Sequence, residues 1–315
     1  MKNKVSYLVL ISMVIFSCSA SIAQFRVSST PETIKTLTSE WIGERLPDGR
    51  PYVSDEILER LKNVVMEEAW IILWNNGYKD QYEGDWMMIN PEYPVMTGRV
   101  ITAQYMPLRP DFRDNIREQG TKEGHPGGPT NSWPINLLTP GDVYVADSYA
   151  KMDQGTLIGD NLGNAIYRNS NNGVIFYGSV RDVEGLRGIE GFNGWVKGQN
   201  PTYLERTMLT SINTPVRIGK ATVLPGDVVL ANKFGVIFIP AHLVEDLVIT
   251  AEFIALRDEF AIQRLREGVY LPGQIDTDWT DEIREDFLNW LDDYPGGALP
   301  MTRAELDEYM KDRLW

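Results

Sequence analysis

An arginine and an aspartate stand side by side after a strongly apolar segment of this sequence. Residues 173–177 form a continuous apolar run, typical of a buried strand, and Gly178-Ser179-Val180-Arg181-Asp182 follows it directly. The carboxyl end of a strand is where α/β folds bind ligands. Arg181 offers a two-pronged cation for a carboxylate, and Asp182 is a hard oxygen ligand suited to Mg²⁺ or Mn²⁺. A plain surface ion pair would use the same two residues, so the pattern alone leaves both interpretations open.

A second candidate site lies upstream, where Gly159-Asp160-Asn161-Leu162 opens a predicted helix over residues 158–169. Backbone N–H groups at a helix start, together with the positive end of the helix dipole, suit a carboxylate or a phosphate. A Gly-Asp pair before a helix is also ordinary N-capping. Taken alone, this motif favours the structural interpretation.

The charge balance limits the class of partner. The chain has 315 residues, with 30 Lys and Arg against 44 Asp and Glu, a formal net charge of −14. Such an acidic chain argues against a nucleic-acid partner, which requires a basic face. An anionic small substrate remains compatible, because one local arginine or a metal ion overrides the global field. The length allows one large domain with extensions or two small domains.

The first residues read as an export signal. Lys2 and Lys4 precede an apolar stretch over residues 7–16, and Ser21-Ile22-Ala23 offers a small-x-small cleavage site before Gln24. A buried N-terminal helix and a lipoprotein signal with Cys18 lipidated are the alternatives. The sequence therefore predicts a secreted or periplasmic protein.

Removal of residues 1–23 would change the composition of the mature chain. It deletes two lysines, no acidic residue and the single cysteine, Cys18, so the formal charge becomes −16. A chain without cysteine has no disulfide, thiolate nucleophile or cysteine-ligated metal. No later segment reaches the length of about 18 apolar residues that a membrane span needs, so we expect no membrane span.

Strands alternate with helices through the middle of the chain, which predicts an α/β core. Two Pro-Gly-Asp turns, at residues 140–142 and 225–227, each precede a strand; good turn chemistry explains them more simply than an internal repeat. Further expected elements are a helix over 54–74, a strand over 95–106, a Gly/Pro-rich loop over 109–134, a strand over 236–239, a long helix over 241–267 and an acidic tail with helical patterning.

These segments, in this order and spacing, resemble the RraA-like family, which includes the class II, metal-dependent 4-hydroxy-4-methyl-2-oxoglutarate aldolases. The resemblance covers roughly residues 95–267. It implies an α/β fold of the swivelling β/β/α type with a central mixed sheet. Residues 24–94 and 268–315 would be helical extensions, and the loop 109–134 has no counterpart. The motifs that carry it are Met96-Thr97-Gly98-Arg99-Val100, Gly141-Asp142-Val143, Gly159 with Leu162, Tyr177-Gly178-Ser179-Val180-Arg181-Asp182-Val183, Pro215-Val216, Val223-Leu224-Pro225-Gly226-Asp227 and Gly235-Val236.

The resemblance also implies roles for individual residues. Asp182 would anchor the divalent metal, Mg²⁺ or Mn²⁺, and Arg181 would hold the substrate's oxo-acid end and stabilise developing negative charge. The backbone amides of Gly159, Asp160, Asn161 and Leu162 would bind the substrate carboxylate, with Asp160 near the water shell of the metal. An acidic residue from a neighbouring subunit, for which Glu259 is the candidate, would complete the site. The assembly implied is a homotrimer or homohexamer.

The function implied is an exported lyase that cleaves a carbon–carbon bond of a 2-oxo acid and releases pyruvate. Retro-aldol cleavage of 4-hydroxy-4-methyl-2-oxoglutarate-like substrates and decarboxylation of oxaloacetate pass through the same enolate, so one site can do both. The alternative is a non-catalytic RraA-like binding or regulatory protein. A quinone methyltransferase is disfavoured, because no Gly-rich loop followed by an acidic ribose ligand occurs. The two histidines, His125 and His242, are expected to be structural rather than ligands.

Overall fold

The computed structural model describes residues 25–311. The predicted export signal and Cys18 lie outside these residues. Eleven strands occur in the described part of the chain. They are β1 (Tyr82–Glu83), β2 (Met87–Met88), β3 (Met96–Pro107), β4 (Asp142–Asp147), β5 (Val174–Val180), β6 (Gly194–Gln199), β7 (Thr207–Ile212), β8 (Val216–Ile218), β9 (Ala221–Val223), β10 (Val228–Asn232) and β11 (Gly235–Ile239).

Ten α-helices accompany these strands within the described residues. None of them is both long and apolar enough to cross a membrane. They are α1 (Pro31–Leu37), α2 (Asp55–Leu61), α3 (Met66–Asn75), α4 (Pro110–Lys122), α5 (Asp160–Ser170), α6 (Val183–Arg187), α7 (Val244–Glu267), α8 (Pro272–Ile275), α9 (Asp281–Asp292) and α10 (Arg303–Lys311).

Two predicted elements were wrong. The single helix expected over 54–74 is two helices, α2 and α3, because the chain leaves the helix after Leu61 and restarts after an extended Val65. The Gly/Pro-rich loop expected over 109–134 contains the thirteen-residue helix α4, which begins at Pro110, where a missing N–H costs nothing. Only the part of that segment after Lys122 is irregular, with a short 3₁₀ turn at Thr130–Ser132.

The fold is α/β with a central mixed sheet and helical extensions at both ends, as the sequence predicted. The main sheet has nine strands in the order β1-β11-β10-β3-β4-β5-β6-β2, with β7 paired to β3. Strands β3, β4, β5 and β6 run parallel, and the remaining pairs in this sheet are antiparallel. Strands β8 and β9 form a separate hairpin. The parallel block therefore brings the carboxyl ends of four strands to one edge.

Both faces of the parallel block are covered, which explains its continuous apolar strands. On one face, Phe176 and Val180 of β5 pack with Ile166 of α5 and Leu186 of α6. On the other face, Ile175 packs with residues of β8 and β9. Helices α2, α3 and α7 cover the β10–β11 end of the sheet in a third cluster. Helices α5 and α6 are thereby fixed beside the end of β5.

The acidic tail folds back on α7. Phe260 of α7 packs against Phe287 and Trp290 of α9 and against Trp279 in an aromatic cluster. Asp281 and Asp292 of α9 face solvent, whereas Asp286 faces α7 and pairs with Arg264 at 2.7 Å.

The two Pro-Gly-Asp turns have the same local geometry but different electrostatic surroundings. Gly141 and Gly226 adopt φ of +84° and +89°, the positive value that the third residue of a type II turn requires. Asp142 is fully buried and accepts two hydrogen bonds of 2.9 Å from Arg50. Asp227 is also buried, but among residues 25–311 its carboxylate accepts a hydrogen bond from the Leu224 N–H alone, and burial raises its pKa to about 7.

This difference predicts a pH-dependent stability. The pKa of Asp227 is about 7 in the folded chain against 3.8 for the free side chain, so its contribution to folding is complete at low pH. That contribution is lost as pH rises through about 7. We expect the free energy of unfolding of wild type, relative to Asp227→Asn, to fall by roughly 4 kcal/mol between pH 4 and pH 8. Urea titrations of both proteins across this range measure it, and parallel curves would contradict it.

Candidate active site

The end of β5 is held against the segment that leads into α5. The Leu157 N–H donates to the Ser179 carbonyl at 3.0 Å, and the Arg181 N–H donates to the Ile158 carbonyl at 3.0 Å. These two backbone hydrogen bonds align the two segments side by side. The Arg181-Asp182 pair and the start of α5 consequently share one corner of the carboxyl edge of the sheet.

Gly159 is required by the closeness of that contact. A Cβ atom at this position would lie 2.3 Å from Asp182 Oδ2 and 3.3 Å from Arg181 Cγ. Its φ of −123° is one that any residue adopts, so the constraint is steric and not conformational. The carboxylate of Asp182 therefore lies directly against the backbone at the start of α5.

Asp182 has an unusual backbone and an available carboxylate. Its φ of 55° and ψ of 42° are left-handed, a conformation that aspartate and asparagine tolerate better than most residues. Although Asp182 precedes α6, its side chain makes no capping hydrogen bond, and it is 40% exposed. Arg181 Nη1 contacts Asp182 Oδ2 at 3.3 Å.

The guanidinium of Arg181 is held between two groups. Besides the Asp182 contact, it lies 4.9 Å from the centre of the Tyr203 ring, a cation–π arrangement. The side chain is 35% exposed, so one side remains open to a ligand. A cation fixed in this way can orient a planar carboxylate or 2-oxo group.

The start of α5 supplies backbone donors to the same corner. The first intrahelical hydrogen bond runs from the Gly163 N–H to the Gly159 carbonyl at 2.9 Å, so the amides before it are not used by the helix ladder. The Asn161 N–H is within 2.8 Å of Asp160 Oδ1. The side chain of Asp160 lies against Gly185 of α6, where an added Cβ would come within 2.8 Å of Asp160 Oδ2.

A cavity of about 530 Å³ opens at this corner, and we call it the Arg181 cavity. Gly159, Asn161, Leu162 and Arg181 line it, whereas Asp160 and Asp182 lie behind this lining, on the side of α6. Its size is within the usual range for small-molecule sites. Sequence reasoning missed part of its wall: Arg113 and Arg117 of α4, Asn131 and Tyr203. The sequence did contain a signal for this wall: Arg113 and Arg117 are four residues apart and follow Pro110-Asp111, a pair suited to a helix start.

Glu259 is not brought to the cavity within one chain. It lies on α7, where Glu259 Oε2 accepts a hydrogen bond of 2.8 Å from the Tyr294 hydroxyl. Helix α7 packs on α2, α3, α9 and α10, and Glu259 does not line the Arg181 cavity. The prediction placed Glu259 in a neighbouring subunit's site, so it stays a prediction.

The two histidines take structural positions. His125 Nε2 lies 2.8 Å from Ser28 Oγ, and its ring stacks on Trp133 at 4.7 Å. Burial lowers the pKa of His125. His242 lies in the 3₁₀ turn before α7, with its Nε2 3.3 Å from the Tyr78 hydroxyl.

The site offers few protein ligands for a metal ion. Among residues 25–311, no group of three or more His, Cys, Asp or Glu side chains is placed to hold a metal. Mg²⁺ commonly keeps several waters and binds through one or two carboxylates. The accessible carboxylate of Asp182, with no capping bond to compete for it, fits an ion bound in that water-rich manner.

The fold and the site together define an α/β protein with an arginine-lined cavity at the carboxyl edge of its parallel strands. The RraA-like family model, described as Aldolase/RraA, matches residues 52–238, more than half of the chain. The chain belongs to the RraA-like family.

Individual relatives carry different names. A "Putative 4-hydroxy-4-methyl-2-oxoglutarate aldolase" of Stutzerimonas stutzeri is 32% identical over 35% of this chain and 66% of its own length. Protein DlpA of Legionella pneumophila is 30% identical over 49% of this chain, which spans only 23% of DlpA. The crystal structure of Streptomyces coelicolor RraAS2, described as an unusual member of the RNase ES inhibitor RraA protein family, superposes with a TM-score of 0.57. It is 25% identical, covering 68% of this chain and all of that one. The relatives that are named as aldolases support a lyase activity at the level of the family.

Proposed function

We propose that this protein is a divalent-metal-dependent lyase that cleaves a carbon–carbon bond of a 2-oxo acid and releases pyruvate. The observation that carries the proposal is that Asp182, Arg181 and the Gly159 turn meet at one corner of the carboxyl edge of the sheet. Arg181 and Gly159 line the Arg181 cavity there, and Asp182 lies directly behind Gly159. An oxygen ligand, a fixed cation and backbone donors are the groups that stabilise a developing enolate.

Each group at this corner has a separate role in the proposed reaction. Asp182 would hold Mg²⁺ or Mn²⁺, which, when bound, supplies Lewis acidity toward the oxo group and carboxylate. Those amides of residues 159–162 that Asp160 Oδ1 does not engage bind the substrate carboxylate, and Arg181 orients the 2-oxo group. When the C3–C4 bond of a 4-hydroxy-2-oxo acid breaks, its electron pair stays with C3 as the pyruvate enolate. The C4 hydroxyl loses its proton to a base and becomes a carbonyl, and C3 then gains a proton.

Proton transfer requires acids or bases beside the reacting atoms. Asp160 stands at the start of α5, next to the carboxylate ligand, and is suited to hold an ordered water there. Glu259 would enter the site from a neighbouring subunit of a homotrimer or homohexamer, because its own chain does not bring it to the cavity. Activity recovered by mixing Asp182 and Glu259 variants tests this shared site.

The protein is proposed to act outside the cytoplasm, on the strength of the signal-like residues 1–23. Sequencing the N-terminus of the mature protein tests this. A mature chain starting at Gln24 is expected, a lipidated Cys18 would mean an anchored protein, and an intact N-terminus would contradict export.

Purified protein is expected to release pyruvate from 4-hydroxy-4-methyl-2-oxoglutarate and from oxaloacetate in the presence of Mg²⁺ or Mn²⁺. A chelator should abolish the release, and added metal should restore it. A coupled assay with lactate dehydrogenase measures the pyruvate. If the protein neither binds metal in a calorimetric titration nor releases pyruvate, the non-catalytic binding or regulatory function applies instead.

A further inference from the structure

Helix α4 places two arginines on the wall of the Arg181 cavity. Arg113 and Arg117 are four residues apart, hence on one face of the helix, and both line the cavity together with Arg181. They lie in the segment 109–134, which carries none of the family motifs named above.

The buried residues of α4 that fix the position of these arginines lie beside them on the helix, since Ile116 is three residues after Arg113 and Gly120 three residues after Arg117. Ile116 is buried in the main core, and Gly120 lies against Trp133, where an added Cβ would come within 2.3 Å of the indole ring. The helix also contacts β7. Because α4 is seated this closely, the backbone positions of Arg113 and Arg117 beside the cavity are fixed.

The two arginines differ in how far they are neutralised. The guanidinium of Arg113 contacts Asp114 Oδ1 at 2.8 Å. Arg117 has no hydrogen-bond or ion-pair partner for its guanidinium within residues 25–311. Glu205 is the one acidic residue that lines the cavity in the described part of the chain, against three arginines. A local excess of positive charge in a chain of net charge −14 marks this wall as a site for a second anion.

We propose that Arg117, assisted by Arg113, binds the distal carboxylate of a dicarboxylic 2-oxo acid. This inference rests on the proposed function, in which Arg181 and the Gly159 turn hold the oxo-acid end. An arginine recognises a carboxylate with two parallel hydrogen bonds. The cavity of about 530 Å³ leaves room for a substrate that is longer than pyruvate.

The subsite distinguishes between two reactions that share the same enolate. In retro-aldol cleavage of 4-hydroxy-4-methyl-2-oxoglutarate, the distal carboxylate survives in the product, and binding it assists the reaction. In decarboxylation of oxaloacetate, the distal carboxylate is itself the group that leaves as CO₂ and must give up its charge. An arginine on that carboxylate therefore helps the first reaction and does not help the second.

Arg117→Gln tests the subsite. We expect kcat/KM for 4-hydroxy-4-methyl-2-oxoglutarate to fall about tenfold, chiefly through KM, as the loss of a charge-assisted hydrogen bond predicts. Oxaloacetate decarboxylation should stay within about twofold of wild type. Arg117→Lys should recover part of the loss, and Arg113→Gln should have a smaller effect because Asp114 shares its charge. The control is Arg109→Gln, since Arg109 pairs with Asp111 on the same helix and does not line the cavity.

Binding separates failure of this inference from failure of the proposed function. In calorimetric titrations with Mg²⁺, 2-oxoglutarate is expected to bind Arg117→Gln about tenfold more weakly than wild type, with oxalate unchanged. If wild type releases no pyruvate but 2-oxoglutarate binding still depends on Arg117, the carboxylate subsite is supported and the proposed lyase reaction is contradicted. If Arg117→Gln equals wild type in retro-aldol cleavage and in 2-oxoglutarate binding, the subsite is overturned.

Discussion

Replacement of Asp182 by asparagine is expected to lower the rate of metal-dependent pyruvate release by roughly a hundred- to a thousandfold. Asparagine keeps the size of the side chain and tolerates the left-handed backbone at this position. It removes the negative charge that would hold the divalent ion against the start of α5. Pyruvate release at saturating Mg²⁺ or Mn²⁺ measures the effect, and calorimetry should show weakened metal binding. The unfolding midpoint should stay close to that of wild type.

The control for this variant is Asp153→Asn. Asp153 is exposed, pairs with Lys151 and, unlike Asp182, does not lie against the Gly159 backbone, so the same change of charge should leave the rate unaltered. An Asp182→Asn protein that kept both the wild-type rate and the wild-type metal affinity would remove Asp182 from the mechanism.

Glu259 is tested with the same assay. If it acts from a neighbouring subunit, Glu259→Gln alone should be inactive, yet refolding it together with Asp182→Asn should restore activity. Mixed oligomers would contain some sites with both acids intact. Mixtures no more active than the separate variants, together with an active Glu259→Gln protein, would contradict a shared site.

Replacement of Arg50 by methionine is expected to destabilise the fold by about 3–5 kcal/mol. Arg50 is 1% exposed, and its two hydrogen bonds of 2.9 Å neutralise the fully buried Asp142 at the start of β4. Removing the Arg50 cation leaves the buried Asp142 carboxylate with hydrogen bonds from Thr139 and only a longer, 3.9 Å contact to the Arg99 guanidinium among the described residues. Urea denaturation at pH 7 measures the loss.

The double variant Arg50→Met, Asp142→Asn separates the buried charge from the packing of the arginine. It should recover much of the lost stability, because no uncompensated carboxylate remains. Arg109→Met is the matched control, since its pair with Asp111 is largely exposed and surface pairs contribute at most about 1 kcal/mol. Equal losses in the single and double variants would show that packing, and not charge, dominates.

Local sequence patterns predicted the centre of the fold well. The apolar run before Arg181 is β5, and the two Pro-Gly-Asp turns introduce β4 and β10. These strands are buried on both faces, so their composition alone identifies them. The grouping of residues 159–162 with residues 181–182 came from the family resemblance, and the structure brings these residues together at one corner.

Local patterns could not predict features that depend on distant contacts. Helix α4 is mainly polar, and its packing depends on Ile116 and on a glycine that admits Trp133. One isoleucine and one glycine four residues apart do not form a pattern that indicates an amphipathic helix. The Arg50–Asp142 pair joins residues 92 positions apart, which no local pattern contains. The break between α2 and α3 was hidden because the apolar spacing continues through Val64 and Val65.

The left-handed backbone at Asp182 has an evolutionary consequence. At φ 55°, glycine and asparagine are the residues most easily exchanged for aspartate, whereas a β-branched or bulky residue would strain the turn. A descendant of this chain that lost metal binding but kept the same fold would therefore be expected to carry asparagine or glycine at this position. Relatives that carry asparagine or glycine at this position are expected to keep the cavity and bind ligands without catalysing the lyase reaction. A change at this single codon would then separate an enzyme from a binding protein.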